Sequence, residues 1–477
     1  MNNMPFKKTK IVATIGPASR DKDILRELIL AGANVFRLNF SHGSHADHQK
    51  TIEMVRELNE ELGTNIALLQ DLQGPKIRMG QMENDGVPIK PGQKLIITTK
   101  DMLGTSEKVS TVYTGIVNDV KPGDAILVDD GNIELKTISV SGDEVLTEVV
   151  HGELLKSRKG INLPNSNVSA PSMTEKDIED LEFGFQFNIE WVALSFVRKA
   201  SDIIEIKKRI AAAGVDTKVI AKVEKPEAIA NLKEIVRETD GVMVARGDLG
   251  VEVPSENVPL LQKRMVRMCN EAGKPVIIAT QMMESMIENP RPTRAETNDV
   301  ANAVFDGADA LMLSAESASG KFPVLAVQQM SKTIMAIEKD AQTIYSKYHE
   351  EDEHSSTRLN DLLVRSACRL SDHVGAKALV GMSKTGYTGY QLARYRPKAD
   401  IFLFTRNKHL LRQMNLVWGV NGYYYDQTVG IDDTINHIEQ MLKDEGHLKK
   451  GEIFINTSSM PSHWQGHTNM MRVSVVE

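Results

Sequence analysis

The chain has 477 residues, of which 41% are hydrophobic and 25% charged, with 57 basic against 64 acidic side chains and a formal charge of −7. That length accommodates two to four domains, and the mild acidity excludes a general binder of nucleic acid or of anionic membranes. Two cysteines, Cys269 and Cys368, show no metal-ligand spacing and fit a reducing compartment better than a disulfide scaffold.

The N-terminal "MNNMPFKKTK" lacks the apolar stretch of a signal peptide, and no apolar run approaches the ~20 residues that span a bilayer. A cytoplasmic protein without membrane partners is expected. The first apolar runs are "KIVATIG" (10–16), "NVFRLNF" (34–40) and "NIALLQDL" (65–72). Amphipathic stretches such as "DKDILRELILAGA" and "HADHQKTIEMVRELNEELG" separate them, the second ending in the Gly that helix C-termini favour. Near-continuous apolar strands are what a sheet covered on both faces requires.

Roughly a hundred residues of different texture follow, including "GVPIKPGQKLIITT" and "VYTGIVNDVKPGDAILVDDGNIELKTISVSGDEVLTEVV". Alternating residues, Pro-Gly turns and "DDGN" predict an inserted all-β module, placed to act as a lid. The rhythm then resumes with "WVALSFV" (191–197), "KVIAKVE" (218–224), "GVMVARGDL" (241–249), "PVIIATQ" (275–281) and "ALMLSAE" (310–316), with "KASDIIEIKKRIAAAG" and "KPEAIANLKEIVRETD" as intervening helices. Eight strand–helix units predict a closed (β/α)₈ TIM barrel. A long helix pattern from "PVLAVQQM" and a charged linker, "HEEDEHSSTRLN", lead into a third, α/β domain with strands "AKALVGM", "ADIFLFT", "VNGYYYD", "GEIFINT" and "MRVSVV". The expected division is 1–74 with 172–345 for the barrel, 75–171 for the lid and 346–477 for the C-terminal domain.

Polar residues gather where the barrel strands end: Arg37 and Asn39, Asp71, Ser195, Lys222 and Glu224, Arg246 and Asp248, Thr280 and Gln281, Ser314 and Glu316. In a barrel these ends meet at one mouth, where active sites are built. Glu224 and Asp248 offer two carboxylates for a hard cation, Mg²⁺ or Mn²⁺. Lys222 points to the same side of its strand as Glu224, either as an ion-pair partner or to stabilise a migrating phosphoryl group or a carbanion. The backbone of Ala245, Arg246 and Gly247 offers N–H donors to an anion, and Arg37, Arg78 and Lys199 add positive charge. Thr280 and the Ser314/Glu316 pair offer groups for a proton relay. Together these describe phosphoryl transfer from an acidic, phosphorylated substrate.

The segments "TIGPAS" (14–19), "RLNFSHG" (37–43), "ARGDLGVE" (245–252), "ATQMMESM" (279–286), "PRPTRAETNDVANAVFDGADALMLSAE" (290–316) and "LARYRPKA" (392–399) resemble pyruvate kinase, from about residue 7 to the C-terminus. The resemblance implies a barrel, a lid and a C-terminal α/β domain, in a homotetramer. It implies that phosphoenolpyruvate and ADP become pyruvate and ATP, with the lid keeping water out. Glu224 and Asp248 then match the divalent-ion ligands, Lys222 and Arg37 the cations on the phosphoryl group, and Ala245 to Gly247 the carboxylate cradle. Thr280 matches the residue beside the carbon that is protonated, Ser314 and Glu316 a proton relay, and Pro17, His42, Arg78 and Lys199 the nucleotide site.

The stretch "QDLQGPKIRMG" (70–80) raises a separate question. Many pyruvate kinases hold K⁺ with groups matching Asn39, Ser41, Asp71 and the carbonyl of Leu72, and have a glutamate where this chain has Lys76. The resemblance is to the class that works without K⁺, Lys76 supplying the charge; a solvated lysine at the lid hinge is the alternative. In the C-terminal domain "MSKTGYTGYQLARYRP" sets Ser383, Lys384, Thr385, Gly386 and Thr388 before a helix, a phosphate-binding arrangement that resembles the family's loop for a sugar-phosphate effector. The loop "MPSHWQGHTN", with Trp464, has few bases for a second phosphate. Two competing readings are a Mg²⁺-dependent barrel lyase or aldolase acting on pyruvate enolates and a non-catalytic phosphometabolite sensor.

Overall fold

The computed structural model describes residues 6–164, 166, 168–349, 356–427, 429–459 and 468–477. Eight parallel strands close into a barrel: β1 (Lys10–Ile15), β2 (Val35–Asn39), β3 (Ala67–Asp71), β4 (Trp191–Leu194), β5 (Lys218–Val223), β6 (Gly241–Ala245), β7 (Val276–Ala279) and β8 (Ala310–Leu313). Their order is sequential, with β8 pairing back onto β1 through Lys10 beside Ala310. Side chains alternate as the pleat demands. Ile11 and Ala13 face the surrounding helices, while Val12 joins Val35, Leu69, Trp191, Ile220 and Met243 in the barrel interior.

Local chemistry fixes the helices between the strands. His45–Leu62 begins with a capping box between Ser44 and Asp47 and ends on left-handed Gly63. Arg294–Asp306 repeats the device with Thr293 and Glu296, and ends on Gly307. The stretch expected as one helix from Lys225 is two, Pro226–Ala230 and Leu232–Glu238, because Asn231 leaves the helical conformation and donates to the Arg198 carbonyl at 2.9 Å. The apolar run that reads as a strand to 249 ends earlier: β6 stops at Ala245, and Arg246–Glu252 is helical.

Between β3 and β4 the chain forms a six-stranded sheet within residues 94–162, with a separate hydrophobic core around Leu95, Ile97, Val109, Leu135 and Val145. The "DDGN" turn is built from left-handed Asp129, Asp130 and Gly131. The two chain crossings to this sheet are zipped together, with Met79 N–H on the Lys159 carbonyl at 2.8 Å and Ile161 N–H on that of Ile77 at 2.9 Å.

The C-terminal region holds a five-stranded sheet in the order Val420–Tyr424, Asp400–Thr405, Ala378–Met382, Ile453–Ser458, Met470–Val475, the last strand antiparallel to its neighbour. Of the expected linker, 350–355 lie outside the described residues, and its last residues are already in the helix from Arg358. This region closes the barrel floor. Leu416 belongs to the barrel's interior cluster, and the Trp191 indole donates to the Gln413 carbonyl at 3.2 Å. Among the described residues no helix is long and apolar enough to cross a membrane.

Candidate active site

The mouth is built from strand ends outward. Arg37, on β2, donates through Nε to Asp71 Oδ2 at 2.6 Å and through Nη1 to the Thr14 hydroxyl at 3.0 Å. Lys222, near the end of β5, donates to Ser195 Oγ at 2.7 Å and lies 3.0 Å from Glu224 Oε1 and 3.3 Å from Asp71 Oδ1. Ser195 in turn donates to the Leu72 carbonyl at 2.7 Å. Four strands thus hold one network of two cations and two carboxylates.

Its electrostatics are lopsided. Burial disfavours the Lys222 ammonium, but Asp71 and Glu224 outweigh it and hold its pKa above the ordinary lysine value. Burial likewise opposes charge on Asp71, where Lys222 and Arg37 prevail and keep the carboxyl below its usual range. Glu224 goes the other way: burial first, with Asp248 adding repulsion, raises its pKa despite Lys222. Glu224 Oε2 accepts the Phe196 N–H at 2.8 Å, whereas the buried Oε1 and Asp71 Oδ1 share the Lys222 ammonium, at 3.0 and 3.3 Å, with no further hydrogen-bond donor among the described residues. Buried Glu224, repelled by the half-buried Asp248 and sharing Lys222 with Asp71, is a carboxylate whose charge a divalent cation would satisfy, so Glu224 and Asp248 fit that group. No cluster of three or more His, Cys, Asp or Glu is found among the described residues, which leaves the remaining coordination positions to water or substrate oxygens.

Backbone strain marks the same rim. Phe196, Thr280 and Gln281 have φ of 55°, 70° and 54°. For a β-branched residue such as Thr280 this is a genuine outlier that the surroundings must enforce. Its hydroxyl accepts the Gly247 N–H at 2.7 Å and donates to the Ala279 carbonyl at 2.6 Å, so the strained turn after β7 is tied to the first turn of Arg246–Glu252. Arg246 does not reach into the mouth; its guanidinium pairs with Asp299 at 2.7 Å and donates to the Thr280 carbonyl at 2.7 Å. Glu316 is buried, and its oxygens accept the N–H groups of Ser314 at 2.7 Å and Met283 at 3.1 Å. That carboxylate anchors the turn after β8.

The chain matches the family model "Pyruvate kinase, barrel domain" over residues 6–327 and "Pyruvate kinase, alpha/beta domain" over residues 361–474. The chain belongs to the pyruvate kinase family. It is 42% identical over 475 residues to a pyruvate kinase of Geobacillus stearothermophilus, a match covering 98% of this chain and 80% of that one. A Staphylococcus saprophyticus pyruvate kinase is 41% identical, covering 99% and 81%. Among solved structures, a pyruvate kinase from Cryptosporidium parvum is 34% identical with a TM-score of 0.93, covering 99% of this chain and 96% of that one. The activity is that of pyruvate kinase: the phosphoryl group of phosphoenolpyruvate passes to ADP, giving pyruvate and ATP. Neither a lyase nor a sensor reading finds support.

The other residues expected from the pyruvate kinase pattern lie farther out. Pro17 and His42 are exposed on turns after β1 and β2, and Lys199 is exposed at the start of helix Ala200–Ala213. Arg78 donates to the Arg158 carbonyl at 3.2 Å, at the base of the inserted sheet. Asn39 Oδ1 accepts the Ser41 N–H at 3.1 Å. Lys76 is exposed and lines a crevice with Pro75, Phe196 and Asp248; a Cβ placed on Gly160 would lie 3.3 Å from its Cε.

In the C-terminal region, Ser383 Oγ accepts the Gly386 N–H at 2.9 Å. Lys384 and Thr385 are exposed, and Thr388 is buried with its hydroxyl 2.8 Å from that of Thr468. Thr388 therefore turns inward, away from the loop. Trp464 lies outside the described residues. Sequence reasoning named Ser195 only as a polar strand end, although it seats Lys222; the missing signal was its partner Leu72, 123 positions away.

Proposed function

We propose that the mouth performs this transfer through Lys222, Arg37, Glu224, Asp248 and Thr280. The observation that carries the reading is the network in which Lys222 is held between Asp71, Glu224 and Ser195. Glu224 and Asp248 would hold a divalent ion, Mg²⁺ or Mn²⁺, which when bound supplies charge compensation for the phosphoryl oxygens. Lys222 keeps its proton across the working pH range, so it acts as a fixed charge on the phosphoryl group in flight and not as an acid. Arg37, braced by Asp71 and Thr14, supports the same group from β2.

Thr280 lies beside the first turn of Arg246–Glu252, where the backbone from Ala245 to Gly247 would meet the substrate carboxylate once the Gly247 N–H leaves the Thr280 hydroxyl it now bonds. That hydroxyl would deliver a proton to the enolate, with Ser314 and Glu316 as the relay and Glu316 fixing the turn after β8 through the Ser314 N–H. Pro17, His42, Arg78 and Lys199 line the nucleotide side, and the inserted sheet acts as lid. Assay of pyruvate and ATP formation from phosphoenolpyruvate and ADP with Mg²⁺ tests the reading. Equimolar products are expected; pyruvate without ATP would overturn it.

We propose further that no K⁺ is needed. Asp71 already faces Arg37 and Lys222, and the Leu72 carbonyl already accepts Ser195, so the groups that would hold K⁺ are engaged. Lys76, on the crevice beside Asp248, supplies the further positive charge. Activity without potassium, and K⁺ activation gained in Lys76→Glu, are the expected results. Strong K⁺ activation of the wild type would refute the idea. A homotetramer, a cytoplasmic location and a monophosphate effector at Ser383, Lys384, Thr385 and Gly386 complete the proposal, with Thr388 buttressing the loop from below; sedimentation and a sugar-phosphate panel test the assembly and the effector.

A further inference from the structure

We propose that Asn162, Glu252 and Lys225 form a latch that seats the inserted sheet on the barrel mouth and aligns Glu224 with Asp248, making them positioning residues for the transfer. Asn162 lies on the returning strand Ile161–Asn162, and its Nδ2 donates to Glu252 Oε1 at 2.8 Å. Lys225 Nζ donates to the same oxygen. All three residues are buried.

Their places in the chain give the contact its meaning. Glu252 closes the short helix whose first turn carries Asp248, and Lys225 directly follows Glu224. One carboxylate oxygen therefore joins the lid to both elements that present the metal-facing acids. The "DDGN" turn approaches the same helix end, where a Cβ on Gly131 would lie 3.9 Å from Val251 Cγ1. Lys76, Asn162, Phe196 and Lys225 line one crevice together with Asp248.

A purely structural Lys225–Glu252 pair would need nothing from the lid. Among the described residues Glu252 Oε2 is buried without a hydrogen-bond donor, so the Asn162 amide is one of two side chains there that bond this carboxylate. Moving the lid away removes a hydrogen bond to a buried charge, enough to favour the seated state by about tenfold or more. Seating the lid also excludes water, which would otherwise take the phosphoryl group.

The inference rests on the phosphoryl-transfer reading. The test is Asn162→Ala, assayed with phosphoenolpyruvate, ADP and Mg²⁺, with amide exchange of residues 158–163 measured alongside. The expected result is a fall in kcat of about tenfold with KM for phosphoenolpyruvate changed less than about threefold. The ratio of inorganic phosphate to ATP should rise, and those amides should exchange faster. Asn162→Gln, which keeps an amide donor, should recover part of both kcat and the ratio.

A folded Asn162→Ala protein with wild-type kcat, product ratio and exchange would overturn the latch. So would a fall in kcat with product ratio and exchange unchanged. Should Asn162→Ala fail to fold, Asn162→Ser carries the same readouts. A wild type that forms no ATP would defeat the transfer reading itself, while amide exchange would still report on the latch.

Discussion

The barrel has two charged ends built from the same residue types, and they are finished differently. At the floor, Asp309 accepts from Val276 N–H at 3.1 Å, Trp418 N–H at 3.1 Å and Arg396 at 2.9 Å. Glu190 there meets Arg56, Arg412 and the Leu68 N–H, so both of its oxygens are hydrogen-bonded. At the mouth, the buried Asp71 Oδ1 and Glu224 Oε1 share the single Lys222 ammonium and have no further hydrogen-bond donor among the described residues. Burying a charge without full satisfaction costs stability, so the floor reads as architecture and the mouth as a place kept open for ligands. The difference lies in the carboxylates: at the floor every oxygen of Asp309 and Glu190 accepts a hydrogen bond, although Arg396 Nε and Gln413 Oε1 there lack a partner, whereas at the mouth two carboxylate oxygens share one ammonium.

The sharpest way to break this contrast is Lys222→Met. Removing the fixed charge should lower kcat by about 10³-fold or more, the scale for a cation that stabilises phosphoryl transfer, measured by steady-state ATP formation. A loss under tenfold would move Lys222 from the chemistry to the scaffold. At the floor, Asp309→Asn removes the charge partner of the buried Arg396 and should cost about 3–5 kcal/mol in chemical unfolding while leaving kcat of the folded fraction within about twofold. Leu416→Ala should cost about 2–5 kcal/mol, because it empties the plug of the barrel interior. A large kcat effect from either floor variant would blur the two ends together.

The smallest effect concerns pH. Burial lowers the pKa of Lys7 from 10.5 to about 7, with Lys10 adding repulsion, and burial lowers that of Lys10 to about 8. Between those values and 10.5 the unfolded chain binds protons that the fold does not. Stability from these two lysines therefore rises with pH across that window, by up to about 1.4 kcal/mol per pH unit for each. Lys7→Met should flatten the rise of unfolding free energy between pH 7 and 9; an unchanged slope would show that Lys7 stays charged in the fold.

Much of this was legible in the sequence because apolar runs ending in polar residues report both a strand and its open end. Arg37, Asp71, Lys222 and Glu224 were found that way, and the structure joins them. Other features had no local signal. Leu416 sits in "MNLVWG", where nothing marks it as the plug of a barrel hundreds of residues earlier. Asn162 and Glu252 are 90 positions apart, and an ordinary polar pair carries no address for its partner. The left-handed backbone of Thr280 was equally hidden, since a β-branched residue is the last type expected there. Periodicity tells which face a side chain takes, but only the closed fold tells whose hydrogen bond is missing.

The most direct measurement is Mn²⁺ binding to the whole protein, followed by electron paramagnetic resonance, in the wild type, Glu224→Gln and Glu190→Gln. The account predicts one site per chain, lost in Glu224→Gln and kept in the folded fraction of Glu190→Gln. Binding that survives Glu224→Gln would contradict the claim that Glu224, with Asp248, is what holds the ion at the mouth.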